Sequence, residues 1–340
     1  MKKWYEDSLD TDIIVSSRIR LARNYKKYPF AVRLSSSEAE KMIEETKNAI
    51  LEGNTVISKD FQYISIFRKP PIDKRAMMER HIVSPELVKK TEPCGVLLSN
   101  DESISIMVNE EDHIRIQCIA AGKNIEKVWD LADKIDDILE EKIDYAFDEK
   151  IGYLTSCPTN VGTGMRASYM IHLPALEWSG QLQNIFNAIG KLGFTVRGIY
   201  GEGTEAEGSL YQISNQITLG QSEIEIIENL NNITLQIEEQ EKQIREKILR
   251  EREAELKDKI YRAYGILRYA RTLSTKEAIA LLSDVKMGFE MGILEEPKPK
   301  ISFYEFMMYI QPANFQKIIG TDLNSKQRDI KRAEFIRERF

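Results

Sequence analysis

Long apolar runs are missing from this 340-residue chain, and without a stretch of about 18 apolar residues no membrane-spanning helix is expected. Cysteine is scarce. The three present, Cys94, Cys118 and Cys157, show no CxxC spacing, so neither a disulfide framework nor a zinc site is expected. The opening MKKWYEDSLD has lysines but no apolar stretch behind them, which reads against a secretory signal. A basic excess is also lacking: 48 Lys and Arg face 54 Asp and Glu, a net charge of −6, which argues against nucleic acid as a direct partner. Internal repeats and low-complexity tracts are absent too. These absences point to a protein of the reducing cytoplasm, off the membrane. What is there, 42% hydrophobic and 30% charged residues, is a globular composition, and the length suggests two domains.

Up to about residue 220, short alternating segments mix with separate helices. Strands are predicted at Tyr63–Phe67, Gly95–Ser99, Ile104–Val108, His113–Ile119, Ala167–Leu173, Phe194–Ile199 and Ser209–Ser214. Their period of two suits an antiparallel sheet with one face buried. A helix should begin at Asn124, with Ile125, Val128, Trp129, Ala132, Ile135, Ile138 and Leu139 on one stripe. Beyond residue 221 the strands stop. Ser222–Ala263 reads as one or two long helices with Ile227, Leu230, Ile237 and Ile244 at near-heptad intervals, followed by helices near Thr275–Met291, Ser302–Tyr309 and Asn324–Arg339. The Pro297–Pro299 stretch supplies a turn. The expectation is an α+β fold: an antiparallel-sheet domain over residues 1–225, then an all-helical domain over 226–340.

Four segments hold unusual polar clusters. In VSSRIRLAR, a strand would project Arg18 and Arg20 to one side; in VNEEDHIRIQ, the same period aligns Glu111, His113 and Arg115. CPTNVGTGMRASYMIHLP runs from a Cys-Pro turn through a glycine-bearing loop to a strand at Arg166, and VRGIYGEGTEAEG joins Arg197 to Glu202. Taken singly, each has a plainer reading: a surface ion pair, a charged hairpin turn, a buried small thiol at Cys157, a hairpin loop. TNVGTG also lacks the GxxxxGK[ST] order of a Walker loop. Taken together, five arginines (Arg18, Arg20, Arg115, Arg166 and Arg197) begin or line strands that can converge. Such a cluster repels itself unless a polyanion joins it, and guanidinium groups grip phosphate oxygens in pairs. In an acidic protein they are placed for a local anion; ATP with Mg²⁺ is the natural counterpart.

The segments SSRIR, VNEEDHIR, CPTNVGTGMRA and RGIYGEGTEAEG resemble the ATP:guanidino phosphotransferases, the phosphagen kinases, across roughly residues 12 to 222. The resemblance implies an ATP site formed by Ser17, Arg18, Ile19, Arg20, His81, Arg115, Arg166, Ala167, Ser168, Tyr169, Met170, Arg197, Gly198, Ile199, Tyr200 and Gly201. It also implies that Glu111 and Glu202 hold the acceptor guanidinium, with Cys157 adding an electrostatic contribution. Two carboxylates suit the chemistry. Making a guanidinium neutral at pH 7 costs roughly 8–9 kcal/mol, beyond an ordinary carboxylate, which can instead fix the group and accept its proton as the N–P bond forms. Glu202 is read as the base and Glu111 as the clamp, with the reverse order left open.

Only 17 residues precede Arg18, so the N-terminal helical domain of the small-molecule enzymes is expected to be missing and the pocket open to a protein side chain. The helical C-terminal region, with LLSDVKMGFEMGIL and RDIKRA, resembles the bacterial protein-arginine kinase branch. That resemblance implies a phosphoarginine pocket at Arg328, Asp329, Arg332 and Ala333, in place of a plain helical charge ladder. It further implies a homodimer, a McsA activator, the CtsR repressor among the substrates, and tagging for a Clp ATPase and protease. Two other functions stay open: a small-molecule guanidino kinase and a catalytically silent phosphoarginine reader.

Overall fold

Residues 2–6, 12–52, 57–198, 207–295 and 302–340 are described by the computed structural model. The strands are β1 (Ile14–Arg23), β2 (Phe61–Ser65), β3 (Gly95–Ser99), β4 (Ile104–Val108), β5 (Ile114–Ala121), β6 (Phe147–Asp148), β7 (Gly152–Tyr153), β8 (Met165–His172), β9 (Phe194–Gly198) and β10 (Leu210–Asn215). Among them lie helices α1 (Ser36–Leu51), α2 (Pro71–Glu79), α3 (Pro85–Lys89), α4 (Ile125–Glu140), α5 (Pro174–Trp178) and α6 (Leu182–Gly190). Helices alone follow: α7 (Glu223–Glu251), α8 (Glu253–Tyr269), α9 (Thr275–Glu290), α10 (Phe303–Tyr309), α11 (Pro312–Ile319) and α12 (Ser325–Arg337). The α+β expectation holds. Strands β3 and β4 stand where alternation put them, and the other predicted strands shift by one or two residues. The short α11 was not read from the sequence, and the Pro297–Pro299 turn lies outside the described residues.

Eight strands order as β2-β3-β4-β5-β1-β8-β10-β9, with β2 through β5 an antiparallel meander. By packing, the chain divides into two interleaved units. One comprises Met1–Trp4, Ser17–Ser168 and Asn215–Asn229; the other Tyr5–Ser16, Tyr169–Ser214 and Leu230–Phe340.

In the first unit, α4 lays Ile125, Val128, Ala132, Ile135 and Leu139 against β5, where Ile114, Ile116 and Cys118 are wholly buried. Across the meander, α2 and α3 cover the opposite face through Met77, Leu87, Val96, Leu98 and Met107. Strands β3 and β4 are therefore buried at every position, and a sheet with one wet face is the wrong description there. The second cover explains the continuous apolar reading of GVLLS. Register pairs Met107 with Arg115 and Val96 with Met107, so the face capped by α2 and α3 at the meander is the one on which Arg115 stands.

In the second unit, the heptad reading of α7 fails at one turn. Ile244 is only part-buried, while Glu241 and Arg245 beside it are buried. Glu241 accepts the N–H groups of Ala175 and Leu176 at 3.0 and 2.8 Å in the first turn of α5, and Arg245 Nε closes on it at 2.8 Å. Arg245 also reaches Glu290 at 2.9 Å on α9, where Lys286 pairs with Glu290 as well. Charges paired in this way replace an apolar layer, with only Arg245 Nη2 of that guanidinium left without a hydrogen-bond partner among the described residues. Helix α9 packs on α8 at Gly288, where a Cβ would come within 2.5 Å of Ile260 Cγ2.

Candidate active site

Along β1 every residue is buried except Arg18 and Arg20, which are part-buried on one face. Ser17, Ile19 and Leu21 take the other face: Ile19 and Leu21 are wholly buried, and Ser17 Oγ donates to Gly122 O at 2.6 Å while accepting the Asn124 N–H at 2.8 Å. The Ser17 side chain thus fastens the start of α4 and faces away from the arginines. Arg115 stands on β5, on one flank of β1, and Arg166 on β8, on the other.

Four of the five expected arginines converge. Burial, then Arg18, Arg115 and Arg166, pushes the Arg20 pKa well below its ordinary value, with Glu110 the counterweight. Arg20 Nε is buried with no hydrogen-bond partner among the described residues. Groups left this way want an anion with several oxygens. His81, between α2 and α3, takes a left-handed φ of 58°, and its carbonyl accepts from Gln117 Nε2 at 2.7 Å on β5. Its charged neighbour is Arg18, so His81 belongs to the same cluster. On β8, Ser168 and Met170 share the face of Arg166 by alternation; Ser168 is buried, its Oγ 3.4 Å from Arg18 O. Ala167 and Tyr169 alternate to the opposite face, where Tyr169 OH donates to Asn231 Oδ1 at 2.5 Å. Arg197 and Gly198 end β9 in the second unit; Ile199, Tyr200, Gly201 and Glu202 lie outside the described residues.

The NEEDH turn separates its acids. Asn109 takes a left-handed φ of 59°, and the turn closes with Asn109 N–H to His113 O at 2.8 Å and Glu110 N–H to Asp112 O at 3.0 Å. Glu111 points outward, its carboxylate 3.3 Å from Arg115 Nη2. Partial burial, against the pull of Arg115 but helped by Glu110, Asp112 and Glu86, raises its pKa. His113 departs from the alternation that predicted it beside Glu111 and Arg115, because residues 109–113 are turn and not strand. Its ring is buried, Nδ1 accepting the Tyr25 N–H at 3.1 Å and Nε2–H donating to Pro29 O at 2.8 Å. Asp112 is fully buried and accepts from Asn24 Nδ2 at 2.7 Å and the Ser156 N–H at 2.6 Å. The Cys157 loop therefore hangs from the turn that carries Glu111.

Cys157 itself is part-buried, Sγ 3.0 Å from Thr159 Oγ1. Close packing accounts for the glycines of its loop. At Gly162, where φ is +112°, a Cβ would fall 2.2 Å from Thr218 O, and at Gly164, φ +62°, 2.6 Å from Arg23 Nη1. Sequence reasoning missed Glu110, Asp112, Asn24 and Ser84. The runs of acids and NYKKY were in view, but which acid turns inward depends on a turn that alternation does not describe.

In the second unit, the carboxy-terminal cluster is arranged differently from a ladder. Arg332 is 1% exposed and donates to Ile310 O at 3.0 Å, Leu273 O at 2.8 Å and Asp329 Oδ1 at 2.7 Å. Its guanidinium, expected to face a phosphate, instead holds Asp329 at the surface. Arg328 is part-buried, donating to Leu323 O at 2.8 Å, and Ala333 is wholly buried.

Burial lowers the pKa of all three histidines, His81 to about 3 with Arg18 assisting, and His113 and His172 below the ordinary value. The unfolded chain takes up these protons near pH 6.5 and the folded one only at lower pH, so the stability is present above pH 6.5 and is lost as pH falls below it. For His81 alone the loss at pH 5 is about 2 kcal/mol. Urea midpoints at pH 7.5 and 5.0 should differ accordingly, and equal midpoints would refute it.

The chain matches the family model described as ATP:guanido phosphotransferase, C-terminal catalytic domain, over residues 41–244. It matches that of the Protein-arginine kinase McsB C-terminal domain over residues 253–340. A protein-arginine kinase of Caldanaerobacter subterraneus subsp. tengcongensis is 51% identical over 327 residues, 96% of each chain. One of Clostridium kluyveri is 47% identical over 328 residues, 96% of this chain and 94% of that one. Among solved structures, the duplicated taurocyamine kinase of Schistosoma mansoni with bound transition state analog components superposes with a TM-score of 0.62 at 27% identity, covering 68% of this chain and 33% of that one. A lombricine kinase, 22% identical with a TM-score of 0.60 over 71% of both chains, shares the fold.

Proposed function

This chain belongs to the ATP:guanido phosphotransferases, in their protein-arginine kinase branch, and we propose that it transfers the γ-phosphoryl group of ATP to arginine side chains of other proteins. The observation that carries this is the convergence of Arg18, Arg20, Arg115 and Arg166 beside the outward Glu111. In the transfer, the bond from the γ-phosphorus to the bridging β-phosphate oxygen breaks and an N–P bond forms. ADP leaves, and the acceptor guanidinium gives up one proton. The arginines neutralise the equatorial oxygens, where phosphoryl transfer most needs charge. Glu111 fixes the acceptor, and its raised pKa suits it to share the proton with Glu202. Among the described residues no three His, Cys, Asp or Glu side chains form a metal-ligand set. Mg²⁺ enters this proposal with its substrate, as MgATP.

The remaining parts of this proposal are taken by analogy with the family. They are a catalytic part over residues 1–225, a helical part over 226–340 that dimerises and reads phosphoarginine at Asp329 and Arg328, and cytoplasmic action with a McsA activator. CtsR as a substrate and delivery of tagged proteins to a Clp protease complete it. Among the described residues no helix is long and apolar enough to cross a membrane. With MgATP and a basic protein, mass spectrometry under mild conditions should find acid-labile phosphate on arginine. Glu111→Gln should lower the rate about 100-fold. Phosphate only on free arginine or creatine would favour the small-molecule kinase, and none at all the silent reader.

A further inference from the structure

Glu110 is 2% exposed, a carboxylate buried against a cluster of guanidinium groups. Both its oxygens are committed. Oε1 accepts from Arg115 Nη1 at 2.7 Å and from Ser84 Oγ at 2.5 Å; Oε2 accepts the backbone N–H of Glu111 at 2.9 Å. Ser84 cannot easily turn away, because its oxygen accepts the Leu87 N–H at 3.0 Å as the cap of α3, which leaves its proton for Glu110. Arg115 thus lies between two acids, buried Glu110 on one fork and outward Glu111 on the other at 3.3 Å.

We propose that Glu110 is a positioning residue that holds Arg115 on the nucleotide side and so keeps Glu111 available to the acceptor guanidinium, with Ser84 locking it. This rests on the phosphoryl-transfer reading above. An arriving guanidinium must displace Arg115 Nη2 from Glu111. With Nη1 anchored on Glu110, that exchange leaves Arg115 in place. Without the anchor, Arg115 is free to fold onto Glu111, which removes a charge from the phosphates and blocks the clamp in the same movement. The backbone bond from Glu111 to Glu110 Oε2 adds a second link, since a carboxylate that lets go of Arg115 also loosens the residue that binds the acceptor.

The reading separates from a merely structural ion pair by its kinetic signature. Glu110→Gln removes a negative charge from among the arginines, so affinity for ATP should hold within about threefold or tighten. In contrast, kcat should fall and KM for the arginine-bearing protein should rise, by about 10- to 100-fold combined in kcat/KM. Glu110→Asp, too short to span Arg115 and the Glu111 N–H together, should not restore the rate. Ser84→Ala should move kcat the same way by about threefold. Melting temperature, ATP binding by calorimetry, and kcat and KM are measured on the full chain for wild type and all three variants. Overturning results are kcat and KM within twofold of wild type in Glu110→Gln, or losses matched by equal losses of ATP affinity and melting temperature in both Glu110→Gln and Ser84→Ala. A wild-type chain that phosphorylates no arginine defeats the functional reading; an active wild type with an unaffected Glu110→Gln defeats this inference alone.

Discussion

Replacing Arg20 by methionine should reduce phosphoryl transfer by about 10³-fold or more in kcat/KM, the scale expected of a charge-stabilising arginine, while making the nucleotide-free protein more stable. The two effects share one cause. Arg20 is held among Arg18, Arg115 and Arg166 with burial opposing its charge, and Glu110 is the carboxylate that offsets it. Without a polyanion this is stored repulsion, and methionine of similar length removes it, raising stability by about 1–2 kcal/mol. With ATP bound the same charge is what the phosphates require. Denaturant titration without nucleotide should place the variant's midpoint above wild type, and adding MgATP should reverse the order. A variant that is both less stable and fully active would mean that the cluster does not serve an anion.

The opposite balance governs Arg23, three residues along. Asp136→Ala should cost about 3–5 kcal/mol, because it strands a buried guanidinium. Arg23 is 2% exposed and bonds Asp136 Oδ2 through Nη2 at 2.6 Å and Nε at 2.9 Å, while Nη1 donates to Thr163 O at 3.0 Å. Its guanidinium stacks 3.5 Å from the Tyr153 ring, and Tyr145 OH donates to Asp136 Oδ1 at 3.0 Å. Although burial opposes the charge, Asp136, Tyr153 and Tyr145 hold it firmly protonated. The double change Arg23→Met with Asp136→Leu should recover most of the loss, since apolar groups of similar volume often replace a buried pair without penalty. Urea unfolding of the single and double variants measures this; an Asp136→Ala loss under 1 kcal/mol would refute it.

These two arginines show where the sequence is transparent and where it is not. In VSSRIRLAR, period two separates Arg18 and Arg20 from Arg23 by parity, and the structure respects that parity. What parity cannot convey is that the opposite face meets Asp136, 113 positions away. The same limit hid Glu110: the word NEEDH offers three adjacent acids, and only the left-handed Asn109 decides that the middle one faces out. In α7, Ile244 carried the apolar repeat, yet Glu241 was buried because α5 needed acceptors for its first N–H groups. RDIKRA resembled a phosphoarginine pocket, and Arg332 proved buried, donating to the carbonyls of Leu273 and Ile310. Local periodicity was legible; obligations between distant backbone groups were not. The loop bearing Glu202 lies outside the described residues.

The Asn109–His113 turn has one last consequence. Its three acids are addressed by ordinal position: first inward to Arg115, second outward, third inward to Asn24 and Ser156. Adding or deleting a single residue there would reassign every address at once. Anyone grafting this corner onto another scaffold should therefore carry it whole, from β4 to β5, as a cartridge of fixed length whose chemistry resides in counting as much as in charge.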